Sequence, residues 1–245
     1  MNPVVIIPVR LASQRLPRKA IVDIAGKPMI NWVVEAALKA DIGPVIVAGC
    51  SDEIGDCVEQ IDSVSFFKTD PDLKSGTDRV YAALEQFDSN SKHDVVVNLQ
   101  GDLPNVNPQV LRDIVSPFHI DNIDIATPVC FIENEAEIDS PNVVKVAMDV
   151  DLESGQSGRA LYFSRNRIPA NAQQYYHHIG IYAFKRKALE AFVRLPSSPL
   201  EKLEKLEQLR ALEAGMNVRG VVVDDKPISV DVPQDLEAAI NKMKE

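Results

Sequence analysis

A short polar segment near the start of the chain carries the residue types that bind phosphate groups. Arg10, Ser13, Arg15 and Lys19 follow the apolar run Val4–Ile7. Arginine grips phosphate oxygens in pairs, lysine supplies a point charge, and the backbone N–H groups of such a loop add further donors. The segment is a candidate site for a polyphosphate, and a solvated basic loop is the alternative.

Two aspartates lie where a divalent cation can be held. Asp102 ends the sequence NLQGD after a buried apolar run, and Asp231 comes just before Pro233. Magnesium prefers one or two carboxylates together with substrate phosphate and water. The pair is therefore a candidate Mg²⁺ site, while a helix N-cap or turn ahead of the proline is the alternative for Asp231.

The charge of the chain is unevenly placed. Its net charge is −10, yet the first 22 residues contain four basic residues and no acid. The overall balance argues against a nucleic-acid binder that works through global charge. A compact basic site in an acidic protein instead indicates a small, highly charged anion as ligand.

Composition and missing motifs exclude several classes of protein. With 45% hydrophobic and 25% charged residues, the 245-residue chain is neither disordered nor collagen-like. It contains no GxG dinucleotide fingerprint, no complete P-loop, no HExxH motif and no GxSxG elbow. No apolar run is long enough for a membrane span or a secretory signal, and three cysteines without a CxxC pair fit reduced thiols. We expect a cytoplasmic protein with no membrane or nucleic-acid partner.

Short apolar runs alternate with amphipathic segments over the first half of the chain. The runs predict buried strands and the segments predict helices. The predicted strands are Val4–Ile7, Val45–Ala48, Val64–Phe67, Asp94–Leu99 and Ile123–Thr127, and the predicted helices are Met29–Ala40, Asp52–Gln60, Asp78–Phe87 and Pro108–Val115. This order predicts an α/β fold of three layers with a mainly parallel sheet, in which loops after neighbouring strands face one crevice.

The pattern changes in the second half. Residues from about 130 to 185 predict a smaller β-rich lobe within a single domain of residues 1–245. Beyond it, Leu200–Ala214 predicts one strong helix, and Val218–Val223 and Pro233–Lys242 predict a closing strand and helix.

Eight sequence blocks, in order along nearly the whole chain, carry a resemblance to a known family. The opening IIPVRLASQRLPRKAIVDIAGKPMI resembles the sugar-nucleotide-activating cytidylyltransferases, specifically the 3-deoxy-manno-octulosonate (Kdo) cytidylyltransferase family. The other blocks are SGTDR (75–79), NLQGD (98–102), PNVVKV (141–146), ALYFSRNRIP (160–169), HIGIYAF (178–184), LEKLEQLRALEAG (203–215) and VDVPQDLE (230–237). Any one block is weak evidence, whereas eight in order are strong evidence.

The resemblance implies a fold, a reaction and a set of site residues. It implies a nucleotide-diphospho-sugar-transferase-like fold and a homodimer joined through the β-rich lobe. It implies a cytoplasmic enzyme that converts CTP and Kdo to CMP-Kdo and pyrophosphate, with Mg²⁺, for lipopolysaccharide biosynthesis. The implied CTP-binding residues are Arg10, Ser13, Arg15, Lys19, Ser75, Gly76 and Arg79. The implied metal ligands are Asp102 and Asp231, which with Lys19 are the implied catalytic residues, and the implied sugar-binding residues are Gln100, His178, Glu207 and Gln208.

Departures from the family pattern leave alternatives open. Leu73 stands where His is frequent, and Leu103 follows Asp102 where Glu is usual. These changes leave a related acidic sugar, such as 8-amino-Kdo or a nonulosonate, as the nearest alternative substrate. A degenerate CTP-binding paralogue is an alternative of another class. A structural role is the alternative for His178, and a solvated helix face is the alternative for Glu207 and Gln208.

Overall fold

The computed structural model describes residues 1–11, 15–119, 122–150 and 156–244. Ser13, which the sequence places in the phosphate-binding loop, lies outside these residues. Within them, no helix combines the length and the apolar character that crossing a bilayer requires.

The strands and helices follow the predicted order closely. The strands are β1 (Pro3–Pro8), β2 (Asp23–Ile24), β3 (Lys27–Pro28), β4 (Val45–Gly49), β5 (Val64–Lys68), β6 (Val95–Asn98), β7 (Ile125–Phe131), β8 (Lys145–Val150), β9 (Ser157–Ser164), β10 (Tyr176–His178), β11 (Tyr182–Lys185) and β12 (Val218–Val222). The helices are α1 (Met29–Ala40), α2 (Asp52–Val58), α3 (Gly76–Phe87), α4 (Pro108–Val115), α5 (Glu135–Ile138), α6 (Arg186–Arg194), α7 (Pro199–Glu204), α8 (Leu209–Glu213) and α9 (Pro233–Lys242).

Contacts divide the chain into two compact units. The first comprises Met1–Arg112 and Pro227–Glu245, and the second comprises Asp113–Lys226. The predicted β-rich segment from about 130 to 185 falls inside the second unit, which adds helices and β12 around it.

The first unit contains a parallel sheet in the order β6-β1-β4-β5. Every residue of β1 is buried, because apolar side chains such as Val5 and Ile6 are covered on both faces of the sheet. Register pairs Val5 with Val97 and Ile6 with Asn98, so β1 and β6 end at the same edge. The loops that follow these two strands therefore leave the sheet side by side, as predicted.

The last helix is fixed to the first unit by a small apolar cluster. Val230, just before α9, is fully buried together with Ile24, Met29 and Ala239. This burial packs the segment before α9 against Ile24 of β2 and Met29 of α1.

The second unit contains mixed strand pairs. Its strands follow the order β10-β8-β9-β12-β7-β11, and β10 also pairs with β7. Only the β7–β12 pair is parallel among the pairs described for this unit; the others are antiparallel. The mainly parallel character predicted for the whole sheet is thus confirmed in the first unit, while the second is mainly antiparallel.

The prediction of a single helix over Leu200–Ala214 is wrong. The segment forms α7 and α8, separated by a break at which Lys205 takes a left-handed conformation with φ of 56°. The leucines recur every third residue, which drifts around a helix of 3.6 residues per turn. The break allows Leu206 and Leu209 to be buried, while Leu203 remains 78% exposed.

Candidate active site

A cavity of about 850 Å³ opens in the first unit, beside the ends of β1 and β6. It gathers every predicted site residue of this unit that the structure describes. These residues are Arg10, Arg15, Lys19, Ser75, Gly76, Arg79, Gln100, Asp102 and Asp231.

Lys19 joins the two predicted metal-binding carboxylates. Its Nζ donates to Oδ2 of Asp102 at 2.7 Å and to Oδ1 of Asp231 at 3.0 Å. Burial alone lowers the pKa of this ammonium, but the two carboxylates outweigh burial and the pKa lies above its ordinary value. Lys19 is therefore charged and holds two aspartates from distant parts of the chain at one point.

The cavity as a whole is basic. Among the described residues that line it, five are cationic and two are carboxylates; the cations include Lys74, which the sequence interpretation missed. Arg15 places Nη2 3.1 Å from Oδ1 of Asp231, and its side chain is 64% exposed. An excess of cations in an acidic protein suits a ligand with several negative charges.

Backbone hydrogen bonds fix the position of Asp231. Val230 donates its N–H to the carbonyl oxygen of Asp102 at 3.0 Å. The carboxylate of Asp235 accepts from the N–H groups of Asp231 and Val232 at 2.9 and 3.0 Å. Asp235 thus caps the start of α9, which leaves the Asp231 side chain to face the cavity instead of serving as the N-cap.

The loop that carries Asp102 lies close against the end of β1. A Cβ at Gly101 would lie 3.0 Å from Cγ2 of Val9 and 3.3 Å from the carbonyl oxygen of Pro8. Leu103 is 4% exposed, and its side chain belongs to the core. The departure from Glu at residue 103 therefore adds apolar burial next to Asp102.

The first turn of α3 forms another wall of the cavity. Ser75 and Asp78 make a capping box, in which Oγ of Ser75 accepts from the N–H of Asp78 at 3.1 Å. Arg79 is 3% exposed and donates to Oγ1 of Thr69, whose hydroxyl donates to the carbonyl oxygen of Gly49 at 3.0 Å. The helix start and a buried guanidinium thus meet at one side of the cavity, where an anion is favoured.

Gln100 is oriented by the end of β6. Its Nε2 donates to Oδ1 of the fully buried Asn98 at 2.9 Å, and Nδ2 of Asn98 donates to Oγ1 of Thr77 at 3.4 Å. Within the described part of the chain, the Gln100 side chain bonds through its amide nitrogen, so its carbonyl oxygen can accept a bond from a ligand.

His178 belongs to the second unit and is buried in a hydrogen-bonded chain. Nε2 lies 2.9 Å from Oγ1 of Thr127, whose hydroxyl donates to the carbonyl oxygen of Ile181 at 2.8 Å. Nδ1 lies 3.5 Å from Nε2 of Gln208. Because the Thr127 proton is given to Ile181, this pattern assigns the proton of a neutral imidazole to Nε2.

Glu207 and Gln208 do not lie on the continuous helix that the sequence predicted. They occupy the break between α7 and α8, and Gln208 is 6% exposed. Oε1 of Glu207 lies 3.7 Å from Nη2 of Arg210. The solvated helix face that was the alternative for Gln208 is therefore wrong, because the break directs this side chain inward toward His178.

Two cavity residues, Lys74 and Gly101, were missed as candidates, and so was Asp235, which orients Asp231 from outside the cavity lining. Lys74 precedes the SGTDR block, and the count of basic residues near the start of the chain did not extend to it. The available signal for the role of Asp235 was an acid two residues after Pro233, where a carboxylate can accept from N–H groups at the start of a helix.

The described residues contain no group of three or more His, Cys, Asp or Glu side chains that could hold a metal ion. Asp102 and Asp231 are thus two carboxylate ligands without a protein-built cage. Such a donor set fits a cation that takes its remaining ligands from substrate phosphate and water.

Comparison with known proteins gives a consistent result. The cytidylyltransferase family model matches residues 4–218. A 3-deoxy-manno-octulosonate cytidylyltransferase of Paramagnetospirillum magneticum is 48% identical over 98% of this chain and 96% of its own length. One of Bradyrhizobium sp. is 50% identical over 96% of this chain and 94% of its own length.

A solved structure agrees over the whole chain. The structure of CMP:2-keto-3-deoxy-manno-octonic acid synthetase complexed with CTP has a TM-score of 0.89 and 35% identity, covering 100% of this chain and 99% of its own. The predicted nucleotide-diphospho-sugar-transferase-like fold is thereby confirmed. The chain belongs to the cytidylyltransferases, and within them to the 3-deoxy-manno-octulosonate cytidylyltransferase family of nucleotidyltransferase enzymes.

Proposed function

We propose that this enzyme transfers the cytidylyl group of CTP to Kdo and releases pyrophosphate. The observation that carries the proposal is the basic cavity in which Lys19 brings Asp102 and Asp231 together. The names of the relatives and the CTP in the matching structure support the choice of nucleotide and sugar.

Arg10, Arg15 and Lys19 are proposed to hold the triphosphate, with Ser13 as a further contact. These cations offset the charge on the phosphates and on the departing pyrophosphate. Ser75, Gly76 and Arg79 are proposed to form the nucleotide side of the pocket, where the start of α3 favours an anion.

Asp102 and Asp231 are proposed to hold Mg²⁺. When bound there, Mg²⁺ supplies positive charge to the α-phosphate and acidifies the attacking hydroxyl. The two aspartates come from chain segments fixed by the Val230–Asp102 backbone bond and by Asp235, so the ligands are held in place before substrates arrive.

The reaction is proposed to be an in-line displacement. The anomeric hydroxyl of the sugar attacks the α-phosphorus of CTP, a new P–O bond forms, and the bond to the β-phosphate breaks. The hydroxyl proton passes to solvent and pyrophosphate leaves. Alignment and charge neutralisation contribute most to such a transfer, so no dedicated general base is assigned.

Gln100, His178, Glu207 and Gln208 are proposed to recognise the acidic sugar. The carbonyl oxygen of Gln100 suits a sugar hydroxyl. His178 has both ring nitrogens near protein partners, which favours a role in orienting Gln208.

The homodimer, the cytoplasmic location and the role in lipopolysaccharide biosynthesis stay predictions. A homodimer through the β-rich lobe is supported by the exposed apolar side chains of Phe131 and Leu161, at 43% and 50%. A cytoplasmic location and a role in lipopolysaccharide biosynthesis accord with a CTP-dependent reaction.

Mg²⁺-dependent release of pyrophosphate from CTP tests the proposal, with Kdo, 8-amino-Kdo and N-acetylneuraminate offered separately. We expect Kdo to be the preferred acceptor and no release without acceptor. Preference for another sugar would make that sugar the substrate, while the cytidylyl transfer reaction would stay as proposed. If protein that still binds CTP releases no pyrophosphate with any of the three sugars, the proposed activity is overturned and a degenerate CTP-binding paralogue is favoured.

A further inference from the structure

Lys19 occupies the point at which the two carboxylates converge. Its Nζ is within hydrogen-bond distance of Oδ2 of Asp102 and Oδ1 of Asp231, at 2.7 and 3.0 Å. The Lys19 side chain is 16% exposed, against 25% for Asp102 and 40% for Asp231. The ammonium is the most buried member of the group and lies between the other two.

Two carboxylates that lie this close together in a half-buried cavity need a cation between them, and the Lys19 ammonium is that cation. Without a cation beside them, their like charges would repel each other. Lys19 removes that repulsion in the absence of any bound ion. Mg²⁺ binds carboxylate oxygens at about 2.0–2.1 Å. An ion bound to these oxygens would lie close to the ammonium that contacts them at 2.7 and 3.0 Å, and the two cations would repel each other.

We propose that Lys19 is a placeholder for the divalent cation, which makes metal binding depend on the arrival of the nucleotide. The proposal rests on the proposed function, in which the same two aspartates hold Mg²⁺. In the ligand-free chain the ammonium neutralises Asp102 and Asp231 and keeps them in position. When the triphosphate binds, it offers Lys19 another anion. The ammonium then moves away from the two aspartates and contacts the phosphate oxygens.

The geometry allows this exchange. Lysine carries its charge at the end of a flexible four-carbon stem, so the ammonium can turn about its side-chain torsions without movement of the backbone. The cavity of about 850 Å³ lies on the same side of the residue and is lined by Arg10 and Arg15. An ordered sequence follows: nucleotide binds first, and the two aspartates become available to the metal afterwards.

Binding of Mn²⁺ alone to nucleotide-free protein tests this inference, with free Mn²⁺ measured by electron paramagnetic resonance. Wild-type protein should bind Mn²⁺ weakly. Lys19→Met should bind it about tenfold more tightly, in the usual range for two coupled ligands. Lys74→Met is the matched control, since it removes a charge from the same cavity and Lys74 pairs with neither aspartate in the described part of the chain. Its Mn²⁺ affinity should stay within about twofold of wild type.

A double variant shows whether the added Mn²⁺ affinity of Lys19→Met depends on Asp231. Lys19→Met combined with Asp231→Asn should lose the added Mn²⁺ affinity; a gain that persists there would overturn the proposal. Equal affinity of Lys19→Met and wild type would also overturn it. If Lys19→Met fails to fold, Lys19→Gln carries the same measurement. Since neither CTP nor sugar is present, failure here is separate from failure of the acceptor assay.

Discussion

At the residue scale, surroundings fix the charge of two contrasting side chains. Lys19 is held charged by two carboxylates although it is largely buried. His178 is held neutral because burial lowers its pKa to about 3, with a smaller contribution from His177. Each residue is thereby tied to one protonation state in the folded chain, and departure from that state costs stability.

The neutral state of His178 predicts a pH dependence of stability. An unfolded histidine has a pKa near 6.5, so below that pH the unfolded chain binds a proton that the folded chain does not. The free energy of unfolding should be highest above about pH 6.5. It should fall as pH is lowered toward 3, by at most about 1.4 kcal/mol per pH unit from this residue. Denaturant unfolding at a series of pH values measures it.

His178→Gln should flatten this dependence in part. A remainder is expected because burial also lowers the pKa of His177 to about 4. His119, which is exposed, provides the control, and His119→Gln should keep the wild-type slope. A His178→Gln protein that loses stability with falling pH as steeply as wild type would contradict this account.

At the scale of elements, turns and caps decide where side chains face. The break between α7 and α8 turns Gln208 inward, and the Asp235 carboxylate caps the start of α9, which leaves the Asp231 side chain to face the cavity. Both features are local, and both place a predicted site residue.

The break predicts an unusual response to glycine. Lys205 is exposed and has a φ of 56°, a conformation that glycine adopts without the penalty of a Cβ. Lys205→Gly should raise the free energy of unfolding by about 0.5–1 kcal/mol. Lys202→Gly, at an exposed position inside α7, should lower it by about 1 kcal/mol. Equal destabilisation of both variants in urea unfolding would contradict the left-handed position.

The sequence predicts the strands of the first unit well because buried parallel strands are continuous apolar runs. Since such strands end at one edge, the meeting of Lys19 with Asp102 also follows from the sequence. The leucines of residues 200–214 mislead, because their three-residue repeat does not stay on one face of a helix and the break lets Leu206 and Leu209 be buried. The partners of His178 could not be predicted, since they depend on side-chain contacts across strands.

At the scale of the whole molecule, the cavity of the first unit concentrates positive charge in a protein whose net charge is −10. The parallel sheet of the first unit supplies two loops at one edge, and the segment just before α9 adds Asp231 to the same site. Three parts of the chain therefore build one charged site, and we propose that its two aspartates, Asp102 and Asp231, are required for cytidylyl transfer.

The most direct test is turnover of Asp102→Asn and Asp231→Asn with CTP and Kdo at saturating Mg²⁺. Both variants should release pyrophosphate at least about a hundredfold more slowly, because each loses a metal ligand while the fold and CTP binding are retained. Asp224→Asn, at an exposed position outside the cavity, should keep wild-type turnover. Near-normal turnover of either Asp102→Asn or Asp231→Asn would contradict the account.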